Sequence, residues 1–126
     1  MIIKELTVKT FLALLIISTS CFADEWTRQD TYREGSYFFL DAIDWLQTRN
    51  IAKHPNKFRE CTSTFALGEH PSVLQVNRYF AGMALAHVRL SYALRKEWRH
   101  GFQYVSIGFE FREDFHNHQL GISARF

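Results

Sequence analysis

Cysteine is scarce. Cys21 and Cys61 are the only two in 126 residues, so the chain is no disulfide scaffold and offers no Cys-x-x-Cys pair for zinc or thiol redox chemistry. An excess of one charge is missing as well. Fifteen Lys and Arg stand against thirteen Asp and Glu, a formal balance of +2 that argues against nucleic acid as a partner. No apolar run approaches the ~20 residues that cross a bilayer as a helix. There is no Gly-x-Ser-x-Gly elbow, no Walker loop, no dinucleotide fingerprint and no His-Glu-x-x-His helix, which removes the common hydrolase, nucleotide and zinc-protease signatures. Internal repeats and low-complexity tracts are absent too. What remains, 47% apolar and 22% charged, is foldable chain of single-domain length. It implies no cofactor and no specific activity.

The first 23 residues stand apart from the rest. Lys4 and Lys9 precede the apolar stretch Phe11–Ile17; Ser18–Ala23 is small and weakly polar; Asp24-Glu25 then turns abruptly to charge. Basic, apolar, small is the order of a secretory signal peptide, with Cys21 and Ala23 at positions −3 and −1 of the cleavage site. The domain expectation is therefore a signal peptide over 1–23 and a single small helical domain over 24–126, located in the bacterial envelope, periplasmic or membrane-associated. Two alternatives stay open: an uncleaved N-terminal anchor, and acylation of Cys21, although Ser18 stands where a lipoprotein signal has a Leu-like residue. After cleavage Cys61 would be an odd cysteine in an oxidising compartment, read here as a small, half-buried residue.

Beyond residue 23 the apolar spacing predicts helices. Thr31-Tyr32-Arg33-Glu34 has capping-box spacing, and Tyr32 to about Lys53 follows as a helix with Phe39, Ile43 and Leu46 on its core side. His54-Pro55 ends it. Lys57–Pro71 reads as a long loop that Phe58, Phe65 and Leu67 pin to a core. Ser72-Val73-Leu74-Gln75 is a second capping box, opening a helix to about Leu94; Gln75, Arg78, Gly82, Arg89 and Lys96 make its narrow polar stripe. Gly82 and Ala86 have the spacing that admits a close neighbouring helix. Residues 103–112 fit a helix and an alternating strand equally well. The fold class expected is mainly α: a helical hairpin, a shorter third helix over about 96–113, a turn at His116-Asn117-His118 and an extended tail from Leu120. The alternative is α+β with a C-terminal β-hairpin.

Few polar residues sit where chemistry would need them. Glu34, Asp41, Asp44 and Thr48 share one side of the first helix, two of them inside an apolar run, so they must face water, an arginine or a metal. Arg78, Arg89, Arg95 and Arg99 are the candidate partners. Asn77, His87 and Ser91 fall on the apolar side of the second helix. In an antiparallel hairpin His87 reaches the acids of the first, the beginning of general-base chemistry or a satisfied core histidine. His116 and His118, with His100, Glu113 or Asp114, are weak candidates for a metal. His70 precedes a proline at a loop end.

The runs Asp44-Trp45-Leu46-Gln47-Thr48-Arg49, Leu67-Gly68-Glu69-His70-Pro71-Ser72 and Val76-Asn77-Arg78-Tyr79-Phe80 carry a resemblance. In them the chain resembles a group of small, largely uncharacterised exported or membrane-associated bacterial and phage proteins that share this helix–loop–helix spacing. The resemblance implies a shared polar site near the loop built from Asp44, Gln47, Thr48, His70, Pro71 and Asn77, and no activity. Thr64-Phe65 here replaces the Asn-Pro usual in the group before Leu-Gly, so the loop's shape is not carried over.

The functional expectation is an exported helical envelope protein without enzymatic activity. Of twelve Phe, three Trp and five Tyr, all but Phe11 and Phe22 lie after residue 23, and such side chains suit a membrane surface or an envelope protein as partner. One alternative is an enzyme or metal-binding protein using Asp41, Asp44 and His87. Another is an integral helical hairpin, although its best span, Tyr79–Leu94, contains His87 and Arg89.

Overall fold

The computed structural model describes residues 24–125, so the signal-peptide expectation, which falls on 1–23, lies outside the described residues. Among the described residues four helices follow one another: α1 (Arg28–Lys53), the short α2 (Thr64–Leu67), α3 (Val73–Ala93) and α4 (Lys96–Gln119). The chain is mainly helical and has no strand among the described residues, so the β-hairpin alternative is not what forms.

Helix α1 begins four residues earlier than expected because Thr27, not Thr31, is its cap. The Thr27 hydroxyl accepts from the Asp30 N–H, and the Asp30 carboxylate accepts from the Thr27 N–H. Thr27-x-x-Asp30 is thus the working box, with an Asp in the place where Glu or Gln is usual. His54 ends the helix before Pro55, as expected. The Ser72–Gln75 box opens α3 as the sequence foretold. The expectation of a short third helix and a turn at 116–118 needs correction. Helix α4 runs unbroken to Gln119, longer than α3, and carries His116 and His118 in its last turn, where basic side chains oppose the negative end of the helix dipole.

Cross-helix hydrogen bonds give the topology. Asp30 pairs with Arg99, and Asp44 with Asn117, so α1 and α4 run parallel. Glu34 pairs with His87, and Trp45 with Asn77, so α1 and α3 run antiparallel. Leu94-Arg95 turns α3 directly into α4. The result is an up–down–up bundle with α1 in the middle. Leu67 and Pro71 anchor the 54–72 connection, and the Glu60 N–H donating to the Glu69 carbonyl closes its neck. The tail folds back: Ile122 is buried, and Asn50 donates to the Ser123 carbonyl.

The bundle buries the stripe that composition alone would put outside. Buried on α1 are Asp30, Arg33, Glu34, Tyr37, Asp41, Gln47 and Thr48; on α4, Arg99, Gln103, Glu113 and Asp114. Fully apolar burial is confined to Ile51, Leu67, Val76, Phe80 and Ile122, with Tyr37 the one large aromatic beside them. Phe39, expected in the core, is 69% exposed, and Phe65, expected to pin the loop, is 88% exposed. The reason is complementarity. Asp30, Glu34 and Asp44 of α1 meet Arg99, Gln103 and Asn117 at matching heights on α4, so each helix turns its polar side to the other. Gly82 is open, with no neighbour where a Cβ would stand, so Gly82 and Ala86 admit no close helix. Cys61 is an exposed free thiol rather than a half-buried one.

Candidate functional site

Two polar systems occupy the interior, and they differ in charge. At the α3–α4 corner Asp30 is buried and saturated. It accepts from the Thr27 N–H and hydroxyl, from Arg33 Nη2 at 2.6 Å and from Arg99 Nη1 at 3.1 Å. Burial alone would raise its pKa, but the bonds from Thr27, Arg33 and Arg99 outweigh it and hold the carboxyl well below the usual range. Arg99, wholly buried, also donates to the carbonyls of Ser91, Glu25, Asp24 and Leu94. It thereby ties the N-terminal lead, the α3–α4 joint and α1 together. Gln103 continues the network, accepting from Arg33 Nε at 2.9 Å and donating to Glu34 Oε2 at 2.9 Å.

Glu34 passes the network on to α3. Its Oε1 lies 2.8 Å from His87 Nδ1. Burial opposes ionisation of Glu34, but the His87 and Gln103 bonds prevail and its pKa is lowered. An ionised carboxylate only accepts, so Nδ1 carries a proton and donates to Glu34. The Nε2 of the ring is buried and has no partner. The imidazole stacks on Tyr37 at a centroid distance of 3.5 Å and on Phe102 at 4.6 Å, which fixes its plane.

His87 lines a cleft of about 370 Å³ between α1, α3, α4 and the connection. One wall is apolar, with Met83, Leu90, Phe102, Val105 and Phe109; the other end carries Asp44, Glu110, Glu113, Thr62 and Tyr79. Here the second system begins. Asp41, Asp44, Glu110 and Asp114 crowd together with no arginine or lysine paired to them, every ion pair among the described residues being at Asp30 or Glu34. Burial, first, then mutual repulsion push Asp44 up to about 7, Glu110 to about 8 and Asp114 to about 7. Burial lifts Asp41 to about 6 against the lowering influence of the Tyr37 hydroxyl, 3.5 Å away, and of His87. Glu113 accepts from the Thr62 hydroxyl at 2.6 Å, which straps the connection to α4. A second, shallower depression beside Tyr32 and Phe39 on the outer face of α1 carries no ionisable group but Tyr32.

The residues singled out in the sequence scatter over these systems. Asp41, Asp44 and Thr48 reach the acidic cluster, Thr48 donating to Asp44. His87 is buried on the antiparallel hairpin as expected, but its partner is Glu34 and not Asp41 or Asp44. Asn77 accepts from Trp45 Nε1 at 2.9 Å and so ties α1 to α3 outside the cleft. Gln47 donates to the Asp114 carbonyl. His70 is exposed at the loop end and joins neither Asn77 nor the acids, so the shared polar site implied by the resemblance does not close around it. His116 and His118 sit two apart on a helix, about 200° around the axis, facing different directions. No group of three His, Cys, Asp or Glu among the described residues is placed to hold a metal ion. Of the four candidate arginines only Arg99 pairs; Arg78, Arg89 and Arg95 are exposed.

Sequence reasoning missed Tyr37, Gln103 and Glu110 as site residues, and named Glu113 and Asp114 only as metal partners of His116 and His118. The signal was there: Arg99, Gln103, Glu110 and Asp114 are spaced four, seven and four apart, one face of a helix. Leaving 103–112 between helix and strand hid it. No family model matches the chain, and no curated protein or solved structure matches it.

Proposed function

We propose that this is an exported, non-enzymatic envelope protein that works by docking its aromatic outer faces on a membrane surface. The observation that carries the reading is the outer face of α4. At ~100° per residue Trp98, Val105 and Phe109 fall within about 40° of one another, and Tyr104, Phe111 and Phe115 within about 40° of one another beside them. All six are exposed, with Trp98 at 73%. Exposed Gly101 and Gly108 lie between the two rows. Helix α3 repeats the pattern, with Leu74, Leu85 and Tyr92 exposed along one line, and α1 adds Tyr32 and Phe39. Single exposed apolar residues are ordinary on a water-soluble surface; aligned rows of them on each long helix are not.

The polar interior supports the same reading. A bundle whose outer surface meets hydrocarbon gains little by hiding apolar side chains inside, and turns its hydrogen-bonding groups to one another. No helix among the described residues is long and apolar enough to cross a membrane. The faces accordingly suit contact with the headgroup–acyl boundary, where Trp and Tyr rings lie. The leader-like pattern of residues 1–23 supports export.

Flotation of the full chain with vesicles of phosphatidylethanolamine and phosphatidylglycerol tests the reading. The chain rises with the vesicles, and the variant with Trp98, Val105 and Phe109 all replaced by serine does not. Burying one such side chain is worth about 1.5–3 kcal/mol, so even half-immersion of three lowers affinity at least tenfold on loss. Carbonate extraction separates the surface form, which is released, from the integral hairpin, which is retained. A chain that stays at the bottom of the gradient refutes both.

A further inference from the structure

The cleft beside His87 joins an apolar wall to carboxyl groups that, among the described residues, have no arginine or lysine paired to them. His87 is 6% exposed, its Nδ1 is committed to Glu34 at 2.8 Å, and its buried Nε2 has no partner. Glu110 Oε2, also lining the cleft or its floor, is buried and unpartnered. Asp44, at the mouth, accepts only through Oδ1, from Thr48 and Asn117. A buried acceptor without a donor is costly, so the acidic end of the cleft asks for a group that brings N–H.

The chemistry of that group follows from the walls. A hard divalent ion wants six to eight oxygens on one point, and no three His, Cys, Asp or Glu among the described residues are placed to hold an ion. Water would fill the volume but would leave Met83, Leu90, Phe102, Val105 and Phe109 wetted. An ammonium group brings a charge and three donors, and aromatic faces such as Phe102 and Tyr79 attract it further. A volume of about 370 Å³ lies at the lower end of small-molecule sites.

We propose that the cleft binds an amphiphilic organic amine, its ammonium between Asp44 and Glu110 and its apolar body along Phe102, Leu90 and Met83. The ammonium replaces the missing basic partner of the acids, and the body fills the apolar end. Binding needs no covalent step and no membrane, although Val105 and Phe109 line the cleft as well as the exposed row of α4.

The test titrates the full chain, free of lipid, with 4-phenylbutylamine, with neutral 4-phenylbutanol and with calcium or magnesium alone. Binding is followed by NMR at the Met83 methyl and the His87 ring. The amine shifts both saturably below about 10 mM, at least tenfold more tightly than the alcohol. Glu110→Gln, which keeps shape and volume and so the fold, weakens the amine at least fivefold and leaves the alcohol unchanged. A second variant, Asp44→Asn, weakens it in the same sense should the first fail to fold. Equal binding of amine and alcohol overturns the proposal in favour of a merely apolar cleft. Tighter binding of calcium or magnesium at the same resonances overturns it in favour of a metal site, and no saturation by the amine overturns it outright.

Discussion

Replacing Arg99 with leucine removes the guanidinium on which the α3–α4 corner converges. Five acceptors lose their donor: Asp30 Oδ2 and the carbonyls of Ser91, Glu25, Asp24 and Leu94. They do not all cost the same. Asp24 and Glu25 are exposed, so water takes over at their carbonyls once the lead comes free. Asp30 and Ser91 are wholly buried and keep no access to water. Asp30 retains Thr27 and Arg33, which limits the loss at the carboxylate. One buried orphan, the Ser91 carbonyl, and one charged donor lost at Asp30, at about 1–3 kcal/mol each, fall at the low end of the ~3–5 kcal/mol seen when one member of a buried ion pair is deleted. The expected loss is about 3 kcal/mol, or roughly 12–24 °C in Tm for a domain of this size. Heat and urea unfolding followed by circular dichroism at neutral pH measures it. Arg99→Lys keeps the charge but not the fork, and falls between the two. A loss below about 1 kcal/mol for the leucine variant would refute the reasoning, because it would mean that the inner network does not hold the helices together.

The acidic cluster makes stability fall as pH rises. Asp41, Asp44, Asp114 and Glu110 hold protons in the folded chain, up to about 6, 7, 7 and 8, that the unfolded chain releases near 3.8 or 4.5, so stability present at pH 4 is lost progressively by pH 8. Asp30 and Glu34, with lowered pKa values, act oppositely and cost stability as pH drops below the ordinary carboxylate range. A Tm profile therefore peaks at mildly acidic pH, and the double variant Glu110→Gln, Asp114→Asn flattens its alkaline limb; a profile that rises from pH 5 to pH 8 contradicts this. Thr62→Val unties the 54–72 connection from Glu113, at a cost of about 1.5 kcal/mol in urea unfolding and faster amide exchange around Cys61. Trp45→Phe removes the donor to Asn77 and weakens the α1–α3 contact by about 1 kcal/mol, without change at the cleft.

Much of the architecture is readable from local chemistry. Ser72 and Gln75 flag the start of α3, and Pro55 the end of α1, because caps and proline act within one turn of the chain. The burial of His87 and Ser91 follows from their place on the same side of α3 as Val76 and Phe80. The facing of α1 and α4 does not follow. A wheel separates Phe39 from Asp41 but leaves open which side a neighbour covers, and the choice was made by Arg99 and Gln103 meeting Asp30 and Glu34 some seventy residues away. The same non-local matching explains the site. Glu34 and His87 are 53 positions apart and nothing around either one names the other. Asp41 and Asp44 were conspicuous as acids in an apolar run, yet their lack of a basic partner is a property of the assembled bundle alone.

Quenching of Trp98 by acyl chains measures the outward-facing claim most directly. In a chain with Trp26→Phe and Trp45→Phe, Trp98 is the only indole left, and it lies on the exposed aromatic row of α4. Vesicles whose phosphatidylcholine carries bromine on the acyl chain should shift its emission to the blue and quench it, and the Val105→Ser, Phe109→Ser variant should abolish both effects. Emission that stays red and unquenched at saturating lipid would show that the row faces water, and that its partner is not a membrane.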